Sequence, residues 1–350
     1  MHTWSEEPKK NIYQHLDMLT YPKNCEKLLS GKINSKRTII PQKNLKKKSK
    51  EISFCLKQGI EFFKNAEYAD ISIVPLLLYY GMLSFSKALI ISNSTEEIYL
   101  DDIKYHGLTT RTKNEKQKIQ KNNKKNWSLL NEYANVNDGV FLELSKLFSQ
   151  EFNKNIIIKL KDTLSSVPEL KTLIDKLNIF ESNSINCYSE INYKNDAVDF
   201  GIYTYDITKL EKKCPKIKKD FIKSKMHGSN AFTQYSSNIN ISPDNFTYFY
   251  NYSSVIGGRY FVFPINVIEG TKKKSILINQ ILIDYVNFFI LSEQVRYHQD
   301  NWNKILSGEN DALISIIKIY VECVKRRFPN LILNYLFNES FSYGSPAYLN

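Results

Sequence analysis

Apolar positions along this chain recur first at helical spacing, then at every second residue, then at helical spacing again. From Glu51 onward, Ile52, Cys55, Leu56, Ile60, Phe62 and Phe63 fall three or four residues apart and predict an amphipathic helix. Ser72 precedes Pro75, near a helix start where a missing N–H is harmless. The stretch Leu76 to Ile90 is apolar nearly all round, which places a helix at the centre of a bundle. Residues 1–50 predict two short helices followed by a basic connector. Further on, Val140, Phe141, Leu144, Leu147 and Phe148 mark another amphipathic helix, and Ser166-Val-Pro-Glu169 has the spacing of a capping box that opens a short one.

The period then changes to two. Ile185, Cys187, Ser189, Ile191 and Tyr193 alternate with polar residues, as do Val198, Phe200, Ile202 and Thr204. A hairpin is predicted from Phe246–Val255 to Tyr260–Val267 around Gly257-Gly258, where glycine supplies positive φ. Helical spacing returns over Ile276 to His298 and over Asp311 to Phe328, the last helix being closed by Pro329. The order is α+β, predominantly helical, with a central antiparallel sheet or hairpin insertion between N- and C-terminal helices. The expected organisation is a helical region over 1–180 with a basic loop, a β-rich region over 181–270, and C-terminal helices over 271–350 that pack back on the N-terminal bundle. The strands and helices do not alternate as a Rossmann fold requires, and there is no internal repeat.

Composition narrows the class. With 42% hydrophobic residues, 23 Tyr and 20 Phe, a chain of 350 residues can bury a large core. Five cysteines without a CxxC pair fit reduced thiols in a cytoplasm. The first residues, Met-His-Thr-Trp-Ser-Glu-Glu, carry acids where a signal peptide needs a basic start. The two most apolar windows are interrupted by Pro75 and Lys87 and by Asn279, Gln280, Asp284 and Asn287, so both read as buried helices rather than membrane spans. A soluble cytoplasmic protein without a membrane partner is expected.

Charge adds a candidate function. The net charge is +12, and three segments hold the excess: Lys36 to Lys50 with seven basic residues and no acid, Lys104 to Lys125 at +7, and Lys209 to Lys225 at +6. Polyanions bind such segments by releasing condensed counterions, which makes RNA, DNA or a nucleotide the expected partner. An acidic protein partner and simple solvation of loops are the competing readings.

Several residues are candidates for phosphate or nucleic-acid contact. His106 stands in Lys104-Tyr-His-Gly-Leu-Thr-Thr-Arg111, where imidazole and guanidinium could hold a phosphate and Gly107 could admit close backbone approach. Lys113, Lys116, Lys121, Lys124 and Lys125 follow as phosphate contacts. Arg259, beside Gly257-Gly258, is a further candidate, and Tyr248, Tyr250 and Tyr252 form one strand face that stacks bases if exposed and is core if buried. Met226-His-Gly-Ser-Asn230 repeats the His-Gly pair. Arg296 and His298, at a helix C-terminal end, suit phosphodiester cleavage with His as acid or base and Arg on the phosphate. Helical ribonucleases of the HEPN class space these residues four to six apart, whereas one residue separates them here. The plainer reading is a cation at a helix C-terminus over Tyr297 and Trp302. No HExxH, nucleophile elbow or paired metal-ligand spacing is present, so no metal or cofactor is expected.

Leu76-Leu-Leu-Tyr-Tyr-Gly-Met-Leu-Ser-Phe-Ser-Lys-Ala-Leu89 followed by His106-Gly-Leu108 resembles the signature of the YaaC-like proteins of Firmicutes. Cys55-Leu-Lys-Gln-Gly59 and Arg296-Tyr-His-Gln-Asp-Asn-Trp302 fit the same pattern, which runs from about Trp4 to Trp302. The resemblance brings no activity with it. Its best-known member is encoded beside a purine-biosynthesis enzyme, which points toward nucleotides, and homologues of this kind suggest a role in antiphage defence. The expectation is an intracellular nucleic-acid- or nucleotide-binding protein. A metal-independent HEPN-like ribonuclease and a protein-interaction subunit of a larger assembly are the alternatives.

Overall fold

A computed structural model describes residues 2–4, 7–36, 41–94, 98–110, 127–150, 152–186, 188–194, 197–204, 206–213, 221–225, 233–237, 260–309, 311–339 and 341–344. The protein is α+β and predominantly helical, and its chain divides into two compact units. Unit 1 holds residues 1–127, 133–155 and 284–350; unit 2 holds 128–132 and 156–283.

Unit 1 begins with α1 (Pro8–Met18), α2 (Pro22–Lys36), α3 (Gln42–Tyr68) and α4 (Val74–Asn93). The basic connector expected up to residue 50 is instead largely the first turns of α3. Leu45, Lys48 and Ile52 are buried and extend the apolar stripe of that helix backward. Lys48 is only 2% exposed; its stem lies in the core and its ammonium donates to the Ser94 carbonyl at 2.8 Å. Lys43, Lys46, Lys47 and Lys50 remain exposed.

By length and composition α4 could cross a membrane, yet most of it is buried inside the protein. It packs along α3, and each helix places a glycine beneath a phenylalanine of the other. A Cβ on Gly59 would stand 2.7 Å from the Phe85 ring, and one on Gly81 would stand 2.5 Å from the Phe63 ring. The two rings themselves meet at 5.4 Å between centroids.

Strands β2 (His106–Thr109) and β3 (Tyr133–Gly139) pair antiparallel in the same unit, followed by α5 (Val140–Leu147). The unit closes with most of α9 (Gln280–Tyr297), α10 (Gln299–Leu306) and α11 (Asp311–Phe337), and with a parallel pair of β1 (His2–Trp4) and β13 (Ser342–Gly344). α11 packs against α1 and α4.

The expected stop of the last helix at Pro329 does not occur: α11 runs through it to Phe337. A proline inside a helix frees the carbonyl four residues earlier, here that of Lys325. The Tyr13 hydroxyl of α1 donates to this carbonyl at 3.0 Å, so the orphaned acceptor is satisfied from outside the helix.

A second polar contact ties α9 to α11. Arg327 donates to both oxygens of Asp284, through Nη2 at 2.5 Å and Nε at 3.3 Å, and Tyr320 donates to the same carboxylate at 2.7 Å. Asn287 donates to the Tyr320 oxygen at 2.9 Å. All four side chains are buried.

In unit 2, β4 (Ile156–Lys159), β11 (Ile265–Glu269) and β12 (Lys272–Ile276) form antiparallel ladders, and α6 (Leu160–Ser165) and α7 (Lys171–Leu177) follow β4 in the chain. β5 (Ser184–Asn186) pairs with β10 (Tyr260–Val262). A four-stranded antiparallel sheet has the order β6 (Tyr188–Lys194), β7 (Ala197–Thr204), β9 (Thr233–Ser237), β8 (Phe221–Lys225), and α8 (Ile207–Lys213) lies in sequence after β7.

The strand expected over Tyr260–Val267 is split at Phe263-Pro264, because Pro264 has no N–H to give a ladder. Its proposed partner Phe246–Val255, the turn at Gly257-Gly258 and the three alternating tyrosines lie outside the described residues. The capping box at Ser166 does not form. Its hydroxyl donates to the Asp162 carbonyl at 3.3 Å and accepts from Asn183 at 3.1 Å, and a 3-10 turn over Pro168–Leu170 precedes α7.

Candidate functional site: arginine and histidine on paired tyrosines

Unit 1 brings together two candidates that the sequence had separated. Tyr79 and Tyr80 of α4 lie between His106 of β2 and Arg296 in the last turn of α9. The His106 ring lies near-parallel to Tyr79 with centroids 5.6 Å apart, and the Arg296 guanidinium stands 6.0 Å from the Tyr79 ring and 5.8 Å from that of Tyr80.

His106 opens β2, whose ladder slips by one residue at Gly107. Gly107 has φ +81°, and a Cβ there would lie 2.5 Å from the Phe141 amide nitrogen. The close approach that only glycine permits is therefore to the protein's own backbone rather than to a phosphate. The bulge turns His106 toward α4 and α9.

Two polar contacts close on His106. Its Nδ1 lies 2.7 Å from the Tyr79 hydroxyl, and the Tyr285 phenol of α9 donates to the His106 carbonyl at 2.8 Å. The Tyr79 and Tyr285 rings meet edge to face with centroids 5.6 Å apart.

Charge and burial keep this ring neutral. Desolvation is the first cause that lowers the His106 pKa below 6.5, with Arg296 and then Lys87 adding to it. Burial, first of all, holds the Tyr79 and Tyr285 phenols well above their usual range and therefore protonated.

Arg296 is held mainly by Glu293, one helical turn earlier, through Nη2. Its other contacts are longer: Nη1 to the Tyr80 oxygen at 3.3 Å, Nε to the Ser292 carbonyl at 3.4 Å and Nη2 to the Ser292 hydroxyl at 3.4 Å. The guanidinium has five N–H donors, so at least one on Nη1 remains for an incoming anion. The second oxygen of Glu293 accepts from the Thr110 hydroxyl at 3.0 Å, immediately before Arg111 in the chain.

His298 takes no part in this cluster. It is the N-cap residue of α10; its backbone N–H donates to Gln294 and its carbonyl accepts from Trp302, whereas the polar contacts of Arg296 go to Ser292, Tyr80 and Glu293. Trp302 is buried and donates to the Ser72 carbonyl at 2.9 Å, while Tyr297 is exposed. Arg111, Lys113, Lys116, Lys121, Lys124, Lys125 and Arg259 lie outside the described residues, as does His227 of the second His-Gly pair. In the third basic segment, Lys209 and Lys213 face Glu181 at 3.6 and 3.1 Å and lower its pKa, with the Lys213 hydrogen bond as the leading cause.

Tyr79, Tyr80, Tyr285, Glu293 and Thr110 were not singled out from the sequence. Glu293 was the legible one, since a carboxylate three residues before an arginine on a helix is a standing pair signal. The tyrosines were read as part of an apolar helix, and nothing in their spacing marks which hydroxyl meets an imidazole.

The class of protein these features define is an α+β protein with a half-buried, cation-bearing polar cluster on its helical unit. The family model described as YaaC-like Protein matches residues 17–336, and the chain belongs to that family. The comparisons with curated proteins and with solved structures gave no match.

Proposed function

We propose that the protein binds nucleic acid or nucleotides by their phosphates, with Arg296 and His106 gripping a phosphate and the lysine-rich run from Arg111 to Lys125 adding long-range attraction. The convergence of Arg296 and His106 on Tyr79 and Tyr80 supports this reading. A guanidinium beside the half-buried Tyr80 ring offers a fork of donors to phosphate and an aromatic neighbour for a base, and the buried Tyr79 ring meets both His106 and Arg296. Lys87 and the lysines beyond Thr110 reinforce the sign of the field. The lysines enter the proposal through their charge alone. Antiphage defence is the cellular setting we propose, in keeping with the family resemblance; deletion of the gene should then raise phage plating efficiency.

The test is fluorescence anisotropy with labelled single-stranded RNA and DNA, and with nucleotides, across a salt series. Affinity should fall as a power of salt concentration, by about 0.7 in the exponent per phosphate contacted. Arg296→Ala should weaken binding at every salt concentration. Replacing Lys113, Lys116, Lys121, Lys124 and Lys125 together by Glu should flatten the slope. Affinity that stays level from low to physiological salt, or capture of an acidic protein with no affinity for any of these ligands, would refute the proposal.

A further inference from the structure

We infer that the site takes an unpaired nucleotide: Tyr297 is the platform on which the base stacks while Arg296 holds the adjoining phosphate. The inference rests on the proposed phosphate-binding reading and deepens it, naming single-stranded nucleic acid rather than duplex as the ligand.

Three tyrosine rings surround the Arg296 guanidinium, at 5.0 Å for Tyr297, 5.8 Å for Tyr80 and 6.0 Å for Tyr79. They differ in what else covers them. Tyr79 is fully buried, against Tyr285, Phe289 and His106. Tyr80 is half-buried, and Phe62 is stacked on it with centroids 5.7 Å apart. Tyr297 is 66% exposed, and among the described residues its ring meets the guanidinium and no other aromatic side chain. A single exposed tyrosine is ordinary on a protein surface. Tyr21, Tyr68 and Tyr105 are exposed too, but among the described residues none of them stands over a cation. The cation is what sets Tyr297 apart.

The chain path accounts for the exposure. α9 ends at Tyr297, and His298, with φ −132° and ψ 46°, turns the chain into α10. A helical side chain leans toward the turn before it, so Tyr297 lies back toward Glu293 and Arg296, and α9 has no following turn to cover it. The guanidinium beneath is fixed by Glu293, with longer contacts to Ser292 and Tyr80, so the ring resting on it is placed as well.

An open π-face beside a fixed cation matches the two parts of an unpaired nucleotide. Any base stacks on the ring, and its phosphate takes a guanidinium N–H. A duplex presents phosphates to Arg296, but its base faces are already stacked on one another and none is free for Tyr297.

The experiment measures anisotropy of the full chain at one salt concentration with four labelled ligands of equal length: single-stranded RNA, single-stranded DNA, duplex DNA, and an abasic strand that keeps the phosphates. Both single strands should bind about tenfold more tightly than the abasic strand. Tyr297→Ala should erase that advantage and leave the abasic strand and the duplex unchanged, whereas Tyr297→Phe, which keeps the ring, should bind as the parent does. Tyr297→Trp should lose indole emission on adding a single strand, beyond any change from the three native tryptophans, and keep it on adding the abasic strand. Equal affinity for single and abasic strands, or a Tyr297→Ala loss of the same factor on both, would overturn the inference and leave the proposed function standing. A Tyr297→Phe variant as weak as Tyr297→Ala would overturn it too, by assigning the effect to the hydroxyl. Failure to bind any of the four ligands would remove both.

Discussion

Neutral His106 beside a fixed guanidinium is the residue-scale feature from which the rest of the site follows. Its pKa lies below the ordinary 6.5, first because the ring is desolvated and then because Arg296 and Lys87 face it. Glu293 faces Arg296 and offsets part of that field, and the Tyr79 and Tyr285 phenols stay protonated. In the window between the folded pKa and 6.5 the unfolded chain binds more protons than the folded one, so stability contributed by this ring rises with pH there. As pH falls through 6.5 that contribution is lost, and the loss is complete below the folded value. An NMR titration of the His106 ring should give a midpoint under 6.5, and Arg296→Ala should move it upward. A midpoint at or above 6.5 in the unaltered protein would contradict the burial and the charges described here. Sequence inspection reached His106 and Arg296 as separate candidates and paired Arg296 with His298, whereas the fold also brings His106 and Arg296 to one Tyr79 ring, because nearness along a chain is a weak guide to which side chains meet.

At the scale of elements, α11 shows how a local rule is overridden. Pro329 ought to end a helix, and it does not, because Tyr13 satisfies the Lys325 carbonyl and because Phe328, Ile332 and Leu333 around the proline are buried. Tyr13→Phe should therefore cost about 1–2 kcal/mol in a urea melt. In a Pro329→Ala background the carbonyl regains a helical N–H, and the same substitution should cost clearly less. Equal costs in both backgrounds would mean that the hydroxyl does not serve that carbonyl. The expected helices at 52–63, 76–90 and 140–148 were legible because their apolar spacing persists over several turns. β8 and β9 were not: Phe-Ile-Lys-Ser-Lys and Thr-Gln-Tyr-Ser-Ser are short and polar, and only their pairing with each other and with β7 makes them strands.

Across unit 1 as a whole, the buried Asp284–Arg327 pair with Tyr320 and Asn287 joins two long helices by directional polar contacts. Removing one partner strands the other charge in the core, so Arg327→Met should destabilise by about 3–5 kcal/mol. The double change Asp284→Leu with Arg327→Met should recover much of that loss in thermal or urea unfolding. A double variant as unstable as the sum of the two singles would show that the two side chains are not energetically coupled and that no stranded charge is relieved.

The sequence by itself determined the α+β class, the central position of α4, the concentration of positive charge and the membership in the YaaC-like family, since each depends on composition or on spacing within one element. Tertiary structure alone decided that Gly107 bends β2 to aim His106, that Arg296 meets it over Tyr79, that His298 stands aside as a helix cap, and that Lys48 lies in the core. Each of these outcomes rests on contacts between segments far apart along the chain, whose strength comes from burial and geometry that no single window of residues contains.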